Sequence, residues 1–302
     1  MAPNIVFEKP VDDHAADLYR SGGVLEALGG WDSWNDAARG RYDRDGFIVV
    51  RNAVPPELWR AALDELKSMA RSSDPACATV AYEAALRPLL EQQLGAPLDE
   101  ADETARAASM EAIDADERAR LVRKFMGFTR THEVLRQVAN HAPLRHAVEE
   151  IAGERTRLFQ SMALVKPPGG REKPWHQDHA YFDLPIDARV CGVWIALGEV
   201  TEANGAMFML RGAHRDGPVV HFQRRDWQIC DTEIAGRTAV ALPMQAGDLV
   251  IFDAKIPHGT PTNRTDAQRW ALQYHYVGRS VEKVAREYRL SIFGEEGKDV
   301  SC

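Results

Sequence analysis

Two imidazoles and one carboxylate on one face of an iron(II) ion hold the metal and leave its other positions open for oxygen and a co-substrate. The chain carries part of such a set twice, as His176-Gln-Asp178 and as His214-Arg-Asp216. Residues i and i+2 of a strand point to the same side, so a His-x-Asp pair there can reach a single ion. The pattern alone says little, because a chain with ten histidines meets it by chance. The surroundings separate the two pairs. His176 follows LFQSMALVKPPGGREKPW, a strand and then a Pro/Gly-rich loop, and precedes the aromatic run HAYF. His214 follows MFMLRGA and reads as a turn residue closing a hairpin. His176 and Asp178 are therefore the expected ligand pair.

A third ligand must come from a strand near in space and far in sequence. Gln245-Ala-Gly-Asp248 reads as a turn, LVIF as an apolar strand, and Pro257-His258-Gly259 ends it. Eleven positions later Arg269 opens RWALQYHYVG. A dicarboxylate co-substrate held at the metal by one end needs a permanently charged, planar fork for its other end, which Arg supplies and Lys does not. On adjacent antiparallel strands, His258 and Arg269 would face one cavity. Singly, His258 reads as a buried, hydrogen-bonded histidine and Arg269 as half of a surface salt bridge. With the upstream pair, they read as one site.

The elements that must position these residues divide into a helix-rich first half, about 1–156, and a strand-rich second half. Tyr42-Asp-Arg-Asp-Gly46 is a turn signal, and Phe47 to Val54 is β-branched enough for a strand. Pro55 and Pro56 open a helix in which Leu58, Ala62, Leu63 and Leu66 recur at helical spacing. Residues 81–122 read as two or three helices, and a further helix spans about 131–152, ending at Gly153. From 157 the period changes. Segments 157–167, 190–199, 206–210, 238–243, 248–254 and 269–278 are short and apolar or alternating, with Asn204-Gly205 as a tight-turn marker of the hairpin kind. Such a series predicts a sandwich or barrel at about 157–278. Arg279 to Cys302 reads as a helix and a loose tail, and 1–302 as a single domain.

With 45% hydrophobic and 27% charged residues, the composition is that of a soluble globular protein. A net charge of −8 argues against a nucleic-acid or anionic-membrane surface as partner. The first residues carry no basic segment followed by an apolar one, and no apolar run approaches the length of a membrane helix. Cys77, Cys191, Cys230 and Cys302 fit no metal or disulfide framework and read as free thiols of a reducing cytoplasm. The expectation is a cytoplasmic monomer or homodimer acting on a small molecule, without nucleic acid or membrane.

The blocks QSMALVKPPGG…PWHQDHAYF, CGVWIALGEVTEANGAMFMLRGAH and QAGDLVIFDAKIPHGTPTNRTDAQRWALQYHY, with RYDRDGFIVVRNAVPPELW as a weaker fourth, resemble the phytanoyl-CoA dioxygenase family of iron(II)/2-oxoglutarate oxygenases. The resemblance covers most of residues 40 to 278. It implies an α+β fold with a mainly β core: a double-stranded β-helix (jelly-roll, cupin-like) barrel with N-terminal and flanking helices. It implies Fe(II), 2-oxoglutarate and O2 as cofactors, with His176, Asp178 and His258 as metal ligands and Arg269 on the distal carboxylate. It places Thr260 on that carboxylate too, Lys124 and Met162 beside the co-substrate, and Trp194 beside the iron. Arg211-Gly-Ala-His214 departs from the family's usual Pro-Gly-Ser/Thr-His, a change at the expected pocket rim.

The activity implied is hydroxylation of an unactivated C–H bond with release of succinate and CO2, and no separate acid–base residue is needed. A halogenase of the same family would have Gly or Ala in place of Asp178. Desaturation, epoxidation or cyclisation by the same oxidant stays open, since substrate geometry decides it. A cupin-like metal protein working without oxygen would not need Arg269, and a scaffold that had lost its site would not keep the ligand set. The substrate is not legible, since a fold does not choose it. Phe125, Phe128, Trp175, Tyr181 and Phe182 are candidates to line a pocket, with core packing as their ordinary explanation.

Overall fold

The computed structural model describes residues 3–297. Among the described residues fifteen strands run in chain order: β1 Asn4–Phe7, β2 Ala27–Leu28, β3 Phe47–Val50, β4 Thr79–Tyr82, β5 Val122–Met126, β6 Thr156–Lys166, β7 Lys173–His176, β8 Val190–Ala196, β9 Met207–Met209, β10 His221–Gln223, β11 Trp227–Ile229, β12 Val240–Leu242, β13 Leu249–Asp253, β14 His258–Thr260 and β15 Arg269–Gly278. Nine of them form a major sheet in the order β1-β4-β5-β6-β15-β8-β13-β3-β2, four form a minor sheet β12-β9-β14-β7, and β10-β11 stand as a hairpin. The minor sheet is wholly antiparallel. In the major sheet only the outermost pairs, β1 with β4 and β2 with β3, are parallel.

The two sheets face each other across a core in which Trp194, Val250, Phe252 and Ala271 of the major sheet meet Met207, Met209, Val240 and Leu242 of the minor one. The outer face of the major sheet is covered by helices. Leu66 and Met69 of helix Pro56–Arg71, Val138 of Glu133–Ala139 and Leu144, Val148 and Ile151 of Ala142–Ala152 pack there with Leu272, Tyr274 and Tyr276 of β15. Covered on both faces, β15 is buried along all ten residues, and its alternation is between two interiors rather than between core and water. Trp270, Leu272 and Tyr274 face the helices; Arg269, Ala271, Gln273 and His275 face the space between the sheets. Jelly-roll architecture and an α+β composition follow the expectation.

Several boundaries differ. Tyr42 to Asp45 form the last turn of helix Asp36–Asp45, and Gly46, at φ 82°, is its left-handed cap rather than part of a free turn. The helix expected at 131–152 is two, interrupted at Asn140-His141, with Pro143 in the first turn of the second, where its missing N–H is no loss. Residues 81–122 hold three helices, Leu86–Leu94, Glu103–Ala112 and Ala115–Leu121, flanked by β4 and β5, which the charged run Val122-Arg-Lys-Phe-Met hid. Strand pairing with β6 decides that segment over its weak local preference. The helix-rich half thus contributes five strands to the major sheet.

Asn204-Gly205 is a turn but not a hairpin. The strand before it lies in the major sheet and β9 after it in the minor sheet, so the turn carries the chain across the core. Asn204 holds it, accepting from the Thr201 N–H and donating to the Glu199 carbonyl. The C-terminal helix is Arg286–Phe293. Cys77, Cys191 and Cys230 are free thiols, while Cys302 lies outside the described residues. Among the described residues no helix is long and apolar enough to cross a membrane.

Candidate metal centre

β7 and β14 are neighbours in the minor sheet, and their register sets His176 directly opposite His258. Directly opposed side chains start about 4.5–5.5 Å apart, and the two rings lie 4.3 Å apart, centroid to centroid. Asp178 is not on the strand, as the i, i+2 reading assumed. The strand ends at His176, and Asp178 opens the short 3-10 turn Asp178–Tyr181. That turn brings its Oδ1 within 3.2 Å of His176 Nε2 and its Oδ2 within 3.7 Å of His258 Nε2. One ligand atom from each residue falls within 4.8 Å of the others, and all three residues are buried.

The protonation of these groups suits a metal. His176 Nδ1 lies 2.7 Å from the Pro174 carbonyl and His258 Nδ1 3.0 Å from that of Ile256. A carbonyl only accepts, so each Nδ1 carries the proton and each Nε2 turns a lone pair to the shared centre. Burial lowers both imidazoles, His258 to about 4, with their mutual repulsion adding for His258 and Lys173 for His176. Burial alone would raise Asp178, but His258 and His275 hold it well below the usual carboxylate range. Two neutral imidazoles and a carboxylate are a donor set that iron(II) accepts. Gln177, between two of them, fixes the turn: its amide donates to the Gly217 and Lys255 carbonyls and accepts from Val219 N–H, and its own N–H donates to His221 Nε2.

His214 is elsewhere. It sits in the turn Ala213–Asp216 against Gly46, with Nε2 3.2 Å from the Asp43 carbonyl at the end of helix Asp36–Asp45. Arg211 donates to Asp45 and to the Val24 carbonyl in the same region.

Arg269 and His258 face a common interior, though not from adjacent strands: Arg269 is on the major sheet and His258 on the minor sheet opposite. Arg269 is 5% exposed, and its Nε and Nη1 have no hydrogen-bond partner among the described residues. Burial, with Arg123 nearby, brings it down to about 9, so it stays cationic at neutral pH. Its guanidinium lies 5.1 Å over the Trp194 ring. An unpaired buried guanidinium fork is costly unless an anion fills it. Thr260 sits close by, but its hydroxyl is held by Lys166 Nζ at 2.8 Å. Lys166 is the register partner of Arg269 on β6, and also donates to the Thr260 and Pro261 carbonyls. Burial, with Arg269 beside it, lowers the Lys166 ammonium well below the ordinary lysine range, and its three contacts are all to uncharged oxygens.

Lys124, Met162 and Trp194 all stand on this interior face. In the register Lys124 opposes Leu164, which opposes Ala271; Met162 and Trp194 flank Gln273 from either side. Burial pushes the partly buried Lys124 ammonium down to about 8, against the pull of Glu8. Of the aromatic candidates, Tyr181 meets His176 edge-on at 5.8 Å and Phe182 meets His275 at 4.9 Å. Phe125 and Phe128 belong to the core beneath the helices, and Trp175 packs in a separate cluster, stacked on Tyr19. Those three are structural.

Sequence reasoning missed Lys166, Gln273 and His275. For the last two, the signal was polar residues on one face of an otherwise apolar, ten-residue strand: Arg269, Gln273 and His275 share it with Ala271.

The phytanoyl-CoA dioxygenase family model matches residues 42–271. The peroxisomal phytanoyl-CoA dioxygenase of Rattus norvegicus is 27% identical over 271 residues, covering 82% of this chain and 72% of the rat protein. Its Homo sapiens counterpart is 26% identical, with 78% and 66% covered. Among solved structures, the non-heme monooxygenase ThoJ aligns with a TM-score of 0.60 at 22% identity, covering 82% of this chain and 80% of its own. EctD from S. alaskensis, solved with 2-oxoglutarate and 5-hydroxyectoine, aligns with a TM-score of 0.57 at 18% identity over 97% and 93%. At those identities the structural likenesses speak for the fold.

Proposed function

Because the chain belongs to the phytanoyl-CoA dioxygenase family, a family of 2-oxoglutarate-dependent non-haem iron dioxygenases, we propose that it hydroxylates an unactivated C–H bond of a small molecule at a centre held by His176, Asp178 and His258. Iron(II), 2-oxoglutarate and O2 are its cofactors. When bound, they supply the oxidant, 2-oxoglutarate leaving as succinate and CO2. The chain's own residues bind, orient and exclude water. His176 and His258 offer Nε2 lone pairs because backbone carbonyls hold their Nδ1 protons. Arg269, with Lys166 beside it, receives the far carboxylate of the co-substrate, and Lys124, Met162, Thr260 and Trp194 line its pocket.

The observation that carries this reading is the pairing, in one interior, of a buried His-Asp-His cluster with a buried guanidinium that has donors to spare. Asp178 favours oxygen insertion over halogenation, since a carboxylate and a halide cannot take one position beside two imidazoles and a chelated co-substrate. Free thiols at Cys77, Cys191 and Cys230 support action in a reducing, cytoplasmic setting.

The test is turnover of a panel of small molecules with iron(II), 2-oxoglutarate and O2, followed by succinate release and product mass. The expected product has gained one oxygen atom, with one succinate per product and no halogen at any chloride concentration. A chlorinated product would overturn the role of Asp178. A product that has lost two hydrogens would replace hydroxylation by desaturation or cyclisation.

A further inference from the structure

Resting on the assignment of Asp178 as a metal ligand, we propose that Gln273 and His275 are positioning residues: they hold its outer oxygen, so that the carboxylate offers the metal a single oxygen. Asp178 Oδ2 accepts from Gln273 Nε2 at 3.0 Å and from His275 Nε2 at 2.8 Å. Oδ1 takes no donor of this kind and is the oxygen nearer a ligand nitrogen, 3.2 Å from His176 Nε2, whose lone pair is directed to the centre, while Oδ2 stands 3.7 Å from His258 Nε2. The two donors come from alternate residues of β15, on the sheet opposite the one that carries the histidine ligands. The carboxylate is therefore oriented from across the barrel, not by the turn on which it sits.

Both donors are locked. Gln273 is 4% exposed, lies between Met162 and Trp194 in the register, and has its Nε2 3.3 Å from His275 Nε2 as well as against Asp178. His275 is fully buried, with Phe182, Phe159 and Phe252 rings at 4.9, 6.0 and 6.3 Å. Its Nδ1 has no partner among the described residues, so the ring's hydrogen bonding there is all at Nε2. Gly192, the β8 partner of His275, leaves the space that the Phe252 ring occupies: a Cβ there would fall 2.2 Å from that ring. Hydrogen bonds to a charged acceptor are shorter and stronger than neutral ones, and two on one oxygen fix both its direction and its lone pairs. A carboxylate free to turn would offer both oxygens and fill a position that the co-substrate or oxygen needs.

Cobalt(II) titration of the metal-free protein, followed by its d–d absorption, tests this without turnover. The proteins are the unaltered chain, Gln273→Leu, His275→Phe and Asp178→Ala. We expect Gln273→Leu and His275→Phe each to weaken cobalt binding about ten- to hundredfold, the usual range for groups that orient metal ligands, and to shift the spectrum toward higher coordination number. Thermal melting establishes that each variant is folded; Gln273→Leu is nearly isosteric and carries the test if His275→Phe does not fold. Unaltered affinity or an unaltered spectrum in Gln273→Leu and His275→Phe, with Asp178→Ala impaired, would overturn the positioning role. Unimpaired binding by Asp178→Ala would instead overturn the ligand assignment beneath it.

Discussion

Arg269 is a cation whose environment lacks a counter-charge. Its Nε and Nη1 are buried without partners among the described residues, and the charge that acts on it is the like charge of Arg123. Holding such a group unpaired costs free energy, and an incoming carboxylate recovers it. Truncating one partner of a buried charge pair typically costs about 2–5 kcal/mol. Arg269→Ala should therefore raise the apparent KM for 2-oxoglutarate by about thirtyfold or more, and that for the primary substrate far less; steady-state kinetics with each varied in turn separates the two. Equal effects on both would make the arginine a structural residue. This scale was the most legible in the sequence. His176, Asp178, His258 and Arg269 were read from residue type, spacing and the blocks around them, and the structure brings all four to one interior. Lys166, Gln273 and His275 were not, because their placement arises from cross-strand register, which a single chain of letters does not display.

Short elements explain the errors of assignment. β7 and β14 have four and three residues, too few for any periodicity to register, so Asp178 was put on a strand and His258 at the end of the wrong one. The Asn204-Gly205 turn was recognised by its chemistry, while its course between sheets depends on where β9 pairs. That turn has a testable constraint. Gly205 has φ 89°, and a Cβ there would lie 2.8 Å from both Lys166 Cδ and the Pro261 carbonyl. Gly205→Ala should cost about 2–4 kcal/mol, combining a left-handed backbone with overpacking. Calorimetry should show a melting temperature lower by several degrees, and an unchanged one would mean that the turn relaxes freely.

A second constraint at this scale ties β1 to the barrel. Burial raises Glu8, but Arg123 and Arg171 outweigh it and hold the carboxyl at about 2. Because the folded value lies below the ordinary 4.5, the stabilisation is complete above about pH 4.5 and is lost as pH falls toward 2. Glu8→Gln should thus be less stable than the unaltered chain by about 3 kcal/mol at pH 7. Denaturant midpoints compared at pH 7 and pH 3 should show that gap narrowing; a gap constant with pH would contradict the ion-pair account.

At the scale of the whole molecule, the division into a helical half and a strand half was a correct reading of composition and an incomplete one of topology. Helices from the first half cover the outer face of the major sheet, while β1, β4 and β5 extend one of its edges and β3 and β2 the other. Pairing between β5 and β6, and between β3 and β13, is non-local and is fixed only when the chain is folded. This arrangement buries β15 on both faces, so that one strand sets Arg269, Gln273 and His275 toward the space between the sheets, with Gln273 and His275 against Asp178. Anaerobic binding of iron(II) and 2-oxoglutarate tests whether this interior holds iron(II) through His176, Asp178 and His258. The unaltered protein should bind one iron per chain and develop an iron-to-2-oxoglutarate charge-transfer absorption that saturates at one equivalent. His176→Ala should lose both, since removing one of three ligands weakens a site whose affinity depends on ligand type and geometry, and His214→Ala should keep both. Full iron occupancy and an intact absorption in His176→Ala, with His214→Ala empty, would contradict the account.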